Sequence, residues 1–311
     1  MSTRTRLDER RRSIVRDLAE SAHTGAPPLG HLAGLWRRPA DDTTYELALD
    51  PDRPMMAGGP GLAEFAMLAD LALGGAIRNQ VGLEVPLPTI SMTVQIAAGR
   101  TREVAWANGE CTAVFGRTAT SRSQLRTING DIVGDATGVF ALPKLPYDGP
   151  GLAMPWDIPA ECSYAAAVEE DPSADDSTSP TFDDSDKALV DRITAHAESS
   201  SRSAWGTLHV EEQMDGENLT LTPTEPMANR LGNLQGGVLL TTAVLAASRT
   251  GGFPVDTLAT TTIDFLAAAD LSARLVPEVT VLKAGGRSLF TRVDLIQGGN
   301  TCCQVTAVFR R

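Results

Sequence analysis

The sequence predicts an α+β fold in which two similar units each wrap a curled antiparallel sheet around one central helix. The stretch from Pro54 reads PMMAGGPGLAEFAMLADLALGGAI, and the stretch from Pro226 reads PMANRLGNLQGGVLLTTAVLAASR. Both run from a Pro-Met pair through a Gly-rich turn into an apolar helix, and a Thr-rich strand follows each helix. Self-similarity on this scale indicates duplication of a whole domain.

The two predicted central helices, Leu62–Ile77 and Val238–Ser248, carry almost no charge. Glu64 and Asp70 are the charged residues of the first helix, and the second helix has none. A helix that is apolar nearly all round is a buried helix. Each of the two is therefore expected at the centre of its unit.

Alternating apolar and polar residues after each helix predict the strands of the two sheets. The predicted strands are Thr89–Ile96, Glu103–Phe115, Ser121–Ile128, Ile132–Leu142, Thr260–Leu266, Ser272–Leu282, Ser288–Ile296 and Thr301–Phe309. Opening hairpins are predicted at Trp36–Leu49 and Trp205–Leu221, the second with a turn signal at Asp215-Gly216.

The predicted boundaries give an N-terminal extension at 1–29, a first unit at 30–148, an acidic linker at 149–202 and a second unit at 203–311. In the linker, the run EEDPSADDSTSPTFDDSDK is too polar to bury a core. Residues Glu169–Asp184 are therefore expected to be poorly ordered, ahead of a helix at Asp186–His196. Leu7, Ile14 and Leu18 share one face of a predicted N-terminal helix.

The composition of the 311-residue chain excludes several classes of protein. Its net charge of −12 argues against nucleic-acid binding, which needs clustered Lys and Arg. No stretch reaches the roughly 18 apolar residues of a membrane span. The four cysteines include no C-x-x-C pair, so neither a metal site nor a disulfide framework is indicated. The first residues lack an apolar signal segment, so a cytoplasmic location is expected.

A nine-residue loop, Asn229-Arg-Leu-Gly232-Asn-Leu-Gln235-Gly236-Gly237, leads into the second helix. This loop resembles the N-x-x-G-x-x-[H/Q]-G-G pattern of hotdog-fold acyl-CoA thioesterases of the PaaI-like family. Those proteins usually have His where this chain has Gln235. The resemblance covers roughly residues 30–145 and 203–311. It implies a tandem hotdog protein with an acyl-CoA substrate and no cofactor other than the coenzyme A of that substrate.

The resemblance also implies a site between the two units, in which one unit gives the loop and its partner an acid on the central helix. Seven residues past Gly237 the second helix has Val244, which is not an acid. The shared Ala-x-Leu-Ala pattern places Asp70 at the matching position of the first helix. The first unit has Gly58–Gly61 in place of the loop. One composite site of Asp70 and Asn229–Gly237 is therefore expected, and the reciprocal pairing is expected to be inactive.

Each group in the expected site has a chemical reason to be there. The Gly236 N–H, at the positive end of a helix dipole, can polarise a thioester carbonyl. Asp70 can attack the carbonyl carbon or activate a water, and the sequence leaves both open. Asn229 can orient the nucleophile and Gln235 can donate through its amide. Substrate binding is also assigned to two further glycines of the loop, Gly232 and Gly237.

These residues also have structural alternatives. Asp70 can be a buried carboxylate satisfied by backbone donors, Gly236-Gly237 a tight helix start and Asn229 a turn cap. Glu64 is expected to cap its own helix, and Ser248 to be a packing residue.

Two other functions remain as alternatives to hydrolysis: a non-catalytic acyl-group binding protein and a hotdog hydratase or dehydratase. Such dehydratases pair a His with a carboxylate. The four histidines of this chain all lie away from both helix starts, which disfavours that chemistry. The sequence leaves open the acyl chain, the carrier (coenzyme A or acyl carrier protein) and whether double units form a homo-oligomer.

Overall fold

A computed structural model describes residues 3–24, 28–38, 44–149, 154–157, 184–199 and 203–311. Most of the linker segment that is expected to be poorly ordered, residues 169–183, lies outside these ranges. The helix expected after it is present and slightly longer, at Asp184–Glu198.

The chain alternates long helices with groups of strands. The helices are α1 Thr3–Thr24, α2 Pro28–Leu32, α3 Leu62–Val81, α4 Asp184–Glu198, α5 Trp205–Gln213 and α6 Gly236–Gly251. The strands are β1 Trp36–Arg38, β2 Tyr45–Ala48, β3 Thr89–Ile96, β4 Trp106–Phe115, β5 Thr118–Arg126, β6 Ile132–Ala141, β7 Leu258–Phe265, β8 Leu275–Gly285, β9 Ser288–Gln297 and β10 Asn300–Arg310.

The strands form one antiparallel sheet in the order β1-β2-β4-β5-β6-β3-β7-β10-β9-β8. The strands from β1 to β3 in this order come from the first half of the chain, and those from β7 to β8 from the second. The halves join where β3 pairs with β7, from Ser91↔Asp264 to Gln95↔Thr260. Because this pairing is continuous, the two halves share one sheet.

The central helices α3 and α6 are buried, as predicted. Leu68 and Leu73 of α3, and Ala243 and Val244 of α6, are all 0% exposed. Small residues let the first helix approach its sheet closely: a Cβ on Gly109 of β4 would collide with the carbonyl oxygen of Ala72. Both helices are longer than predicted, and the additional turn of α3 contains the charged residue Arg78.

Of the two predicted opening hairpins, the first is confirmed as a strand pair and the second is wrong. β1 and β2 pair in the register Trp36↔Ala48, whereas residues Trp205–Gln213 form helix α5. The buried residues of α5 include Trp205, His209 and Val210, which is helical rather than alternating spacing. His209 therefore lies in a helix, where its ring stacks on Trp205 at 4.4 Å between centroids.

The N-terminal helix α1 packs onto the first half. Ile14 and Leu18 on its predicted apolar face are buried, and Asp17 accepts a hydrogen bond of 2.7 Å from Arg53. None of the described helices combines the length and hydropathy needed to cross a bilayer.

Candidate functional site

A cavity of about 360 Å³ lies between α3 and the N-terminus of α6. Its wall from the first half includes Asp70, Leu71, Gly74, Arg78, Pro86, Leu87, Pro88, Thr89 and Phe140. Its wall from the second half includes Asn229, Arg230, Leu231, Asn233, Leu234, Gln235, Gly236, Leu239 and Phe265. Both halves of the chain therefore contribute to the cavity.

Asp70 is the one carboxylate among the described residues that line this cavity. The Thr89 hydroxyl donates a hydrogen bond of 2.9 Å to Asp70 Oδ1. The other oxygen, Oδ2, lies 3.2 Å from the position that a Cβ on Gly236 would occupy. The structure therefore brings Asp70 and Gly236 together across the two halves, with one carboxylate oxygen anchored and the other facing the start of α6.

Burial raises the pKa of Asp70 above its ordinary value, because the surrounding protein disfavours the charged form. Two neighbours act in the opposite direction: the Thr89 hydroxyl, by hydrogen bonding, and the positive charge of Arg78. A carboxyl group with a raised pKa is a stronger base than a solvated one, which suits proton abstraction.

The start of α6 presents a backbone N–H to the same cavity. Gln235 is the N-cap: its Oε1 accepts hydrogen bonds from Gly237 N at 2.6 Å and from Val238 N at 3.3 Å. The first N–H groups of a helix have no acceptor within the helix. Within the described ranges, no protein acceptor is found for the N–H of Gly236, which lines the cavity. It is available to an oxygen of a bound ligand.

Two predicted site residues have structural tasks of their own. The Gln235 side-chain oxygen is occupied by the cap, although the residue also lines the cavity. The Asn229 Oδ1 accepts hydrogen bonds from Leu231 N at 2.8 Å and Asn233 N at 3.2 Å, so Asn229 shapes the loop as a turn cap. What either amide nitrogen contributes to a ligand stays a prediction.

Gly237 and Gly232, for which substrate contacts are expected, are not among the residues that line the cavity. The Gly237 N–H is taken by the cap, and a Cβ on Gly237 would lie 2.8 Å from Met67 N of α3. Gly237 is therefore needed for the close approach of the two helices. Gly232 has φ +76° with open space around it, and its role is that of a turn residue in the left-handed region.

Arg78 and Thr89 are among the polar residues of the cavity that sequence reasoning missed. The predicted first helix ended at Ile77, one residue short of Arg78, whereas α3 continues to Val81. The eight-residue spacing from Asp70 was the available signal, because residues two turns apart lie on the same side of a helix. Thr89 opens the Thr-rich strand β3, but nothing local in the sequence pointed it at Asp70.

The start of α3, in contrast, is closed by helix α5. The Thr207 hydroxyl oxygen accepts a hydrogen bond of 2.9 Å from Ala63 N, and the Glu64 carboxylate accepts one of 3.0 Å from Gly61 N. Glu64 therefore caps α3, as predicted, and it also accepts from the Thr207 N–H at 3.0 Å. The N–H groups of Gly61 and Ala63 are satisfied within the protein and are not free to bind a carbonyl oxygen.

We expect Thr207→Val to destabilise the fold without altering the cavity. The substitution removes the acceptor of Ala63 N and the hydroxyl that donates a 2.6 Å hydrogen bond to buried Glu64. Loss of partners for buried polar groups should lower the free energy of unfolding by about 1–3 kcal/mol, measured by urea denaturation. Thr112→Val, at an exposed position of β4, is the matched control. An unfolding free energy equal to that of the control would contradict the capping role.

The comparisons with known proteins agree with this architecture. Residues 224–310 match the family model described as Acyl-CoA thioesterase N-terminal domain. No curated protein sequence matches the chain.

Three solved structures are similar over most of the chain. An oleoyl thioesterase (putative) from Lactobacillus plantarum is 10% identical, with 86% of this chain and 95% of that chain covered at a TM-score of 0.50. A conserved hotdog-fold protein of unknown function from Alicyclobacillus acidocaldarius is 15% identical, with 90% and 96% covered and a TM-score of 0.49. The tesB protein of Mycobacterium avium subs paratuberculosis is 12% identical, with 88% and 95% covered and a TM-score of 0.49. The protein has a hotdog fold, with antiparallel strands and buried central helices, and its residues 224–310 match an acyl-CoA thioesterase domain.

Proposed function

We propose that the protein hydrolyses acyl-CoA thioesters at one composite site between two hotdog units. The observation that carries this proposal is the approach of Asp70 Oδ2 to Gly236, at 3.2 Å from the Cβ position. An acid from one half thus faces an available helix N-terminus from the other. The match of residues 224–310 to an acyl-CoA thioesterase domain supports the choice of substrate.

In this proposal the thioester carbonyl oxygen accepts a hydrogen bond from the Gly236 N–H. The positive end of the α6 dipole adds to the polarisation and stabilises the oxyanion as it develops. Glycine at this position leaves room for the thioester between the helix start and Asp70. The carbonyl carbon then faces Asp70 Oδ2.

Asp70 acts in its ionised form, either as a general base on a water or as the attacking nucleophile. In the first case Asp70 takes a proton from water while the water oxygen bonds to the acyl carbon. The C–S bond then breaks, and the thiolate takes a proton to leave as the thiol. In the second case an acyl-aspartyl anhydride forms as the thiolate leaves, and water cleaves that anhydride. The carboxylic acid and coenzyme A are the products of both routes.

We assign supporting roles to the other predicted residues. Gln235 holds the first turn of α6 through its cap, and Asn229 holds the loop that precedes it. Both roles position the Gly236 N–H. The PaaI-like subfamily and the choice of coenzyme A over acyl carrier protein remain parts of the proposal that rest on the loop motif.

The activity should depend on the ionisation of Asp70. Because burial raises the Asp70 pKa, we expect kcat/KM to fall on acidification at a higher pH than an ordinary carboxyl group would give. Thr89→Val removes a hydroxyl that lowers this pKa, so the acid limb should move to still higher pH. A pH–rate profile of the parent, Thr89→Val and the surface control Thr112→Val checks this. An acid limb that Thr89→Val leaves in place or moves to lower pH would contradict the assignment of Asp70 as the titrating group.

A hydratase or dehydratase is disfavoured by the positions of the three histidines whose side chains the structure describes. His31, His196 and His209 do not line the cavity. His196 Nε2 lies 3.1 Å from Ala57 O, and His209 Nε2 lies 2.8 Å from Thr224 Oγ1. We therefore assign these histidines structural roles.

The test of the proposed function is thiol release from a panel of acyl-CoA thioesters that vary in chain length and polarity. We expect turnover of at least one of them, with coenzyme A and the free acid in equal amounts. Tight binding of acyl-CoA without thiol release would instead identify a non-catalytic binding protein, and hydration of an enoyl-CoA would identify a hydratase.

A further inference from the structure

Arg78 is a buried cation in the wall of the cavity. The residue is 6% exposed, and its Nε donates a hydrogen bond of 3.1 Å to Val85 O. In the described part of the chain, the carbonyl oxygen of Val85 is the one hydrogen-bond acceptor of the Arg78 side chain. No carboxylate oxygen of that part lies within 4.0 Å of the Arg78 side-chain nitrogens. The two terminal nitrogens of the guanidinium are therefore left for a ligand.

The nearest acids are already engaged elsewhere. The negative charge of Asp157 favours the charged form of Arg78. The Asp157 carboxylate itself accepts hydrogen bonds from Tyr45 at 3.0 Å and from Arg37 at 3.2 Å. Asp70 is anchored by Thr89. A second arginine, Arg230, also lines the cavity and adds positive charge near Arg78, although the nearby charge of Glu84 acts on Arg230 in the opposite direction. The cavity therefore favours an anionic group at the Arg78 end.

Asp70, Gly74 and Arg78 all line the cavity, and together they define a lane of the cavity along α3. Asp70, Gly74 and Arg78 follow one another at four-residue spacing, which places them on one side of the helix. Gly74 adds no side chain between them, and a Cβ there would lie 3.7 Å from Arg78 Nη1 and 3.6 Å from Phe140 Cε1. The Arg78 guanidinium thus leans back to the level of Gly74, about 6 Å along the helix from Asp70.

The apolar residues of the cavity wall include Leu71, Leu87, Phe140 and Met154. A plain hydrocarbon chain would fill the lane but leave the two terminal guanidinium nitrogens of Arg78 without acceptors. Such desolvation of a charged group without a partner is unfavourable. A carboxylate would accept hydrogen bonds from both terminal nitrogens, which is the geometry that arginine favours.

We infer that the preferred substrate is the coenzyme A thioester of a short dicarboxylic acid, whose free carboxylate binds Arg78. This inference rests on the proposed hydrolase function, because the thioester carbon must lie between Asp70 and Gly236. With the carbonyl carbon at that point, the guanidinium lies about one helical turn away along α3. An acyl group of about four to six carbons spans this distance. Apolar walls hold its methylene groups, and Arg78 binds its far end.

The experiment compares acyl groups that differ only in the terminal carboxylate. The pairs are succinyl-CoA with butyryl-CoA, glutaryl-CoA with valeryl-CoA, and adipyl-CoA with hexanoyl-CoA. For the pair of best length, we expect kcat/KM of the dicarboxylic thioester to exceed that of its partner on the order of tenfold to a hundredfold. In Arg78→Met this ratio should fall towards one or below, whereas Arg117→Met, at an exposed turn, should keep it.

Binding of non-hydrolysable analogues separates this inference from the proposed function. In these ketone analogues a methylene group stands between the sulfur and the carbonyl of glutaryl-CoA and valeryl-CoA. We expect calorimetry to show tighter binding of the glutaryl analogue, whether or not the thioesters are turned over. Equal affinity of the two analogues, or a ratio unchanged in a folded Arg78→Met variant, would overturn the inference. If Arg78→Met does not fold, the preference of the parent protein still decides it.

Discussion

Asp70→Asn is expected to reduce thiol release by about a hundredfold or more. Asn keeps the shape of the side chain and can still accept the Thr89 hydrogen bond, but it is neither a base nor a nucleophile of comparable strength. The loss should appear in kcat, because the substituted group acts in the chemical step. The measurement is the steady-state rate with the best acyl-CoA of the panel.

The matched control is Asp135→Asn, at an exposed position of β6, which should retain the parent rate. The Asp70→Asn protein should also be at least as stable as the parent at neutral pH. The folded-state pKa of Asp70 is raised. The free energy of unfolding of the parent protein therefore falls as pH rises from the unfolded-state pKa of Asp70 towards its folded-state pKa. Asn lacks this unfavourable ionisation. An Asp70→Asn variant that hydrolyses at the parent rate would remove Asp70 from the mechanism.

Gly236→Ala is expected to reduce the same activity by about tenfold or more, since a blocked oxyanion donor has effects of at least this size. The new methyl group would lie 3.2 Å from Asp70 Oδ2 and 3.2 Å from Phe265 Cζ. It would therefore occupy the space that the proposed thioester needs, while the backbone N–H itself is retained. The effect should be seen as a lower kcat/KM in thiol release.

Gly216→Ala is the control for this substitution, because a Cβ on Gly216 meets no atom within 4 Å. The two variants should unfold at similar denaturant concentrations, since Ala is tolerated in the first turn of a helix. Parent-like activity in a folded Gly236→Ala variant would place the carbonyl elsewhere in the cavity.

The sequence was sufficient for the central elements of the fold. Long apolar helices with hardly a charge, each followed by alternating strands, have few arrangements other than a helix covered by a sheet. The resemblance to hotdog thioesterases, combined with the comparison of the two halves, singled out Asp70 in the first half and the loop before Gly236 in the second. The structure places these two in one cavity.

Other features depend on tertiary contacts that the local pattern does not encode. Helix α5 was predicted as a hairpin because its turn signal at Asp215 is real, as shown by the 2.8 Å hydrogen bond from Glu217 N to its carboxylate. Its role at the start of α3 depends on Thr207 meeting Glu64 from a distant part of the chain. Likewise, Gly237 lies in a loop motif that predicts ligand binding, but its neighbour in the structure is the backbone of α3.

The central claim is that an acyl thioester lies between the acid of one half and the helix start of the other. The most direct test is a crystal structure of the parent protein with the glutaryl ketone analogue of coenzyme A. The account predicts the ketone oxygen within hydrogen-bond distance of Gly236 N and the ketone carbon facing Asp70 Oδ2. A ketone bound beside Gly61 and Thr207, or one turned away from Asp70, would contradict it.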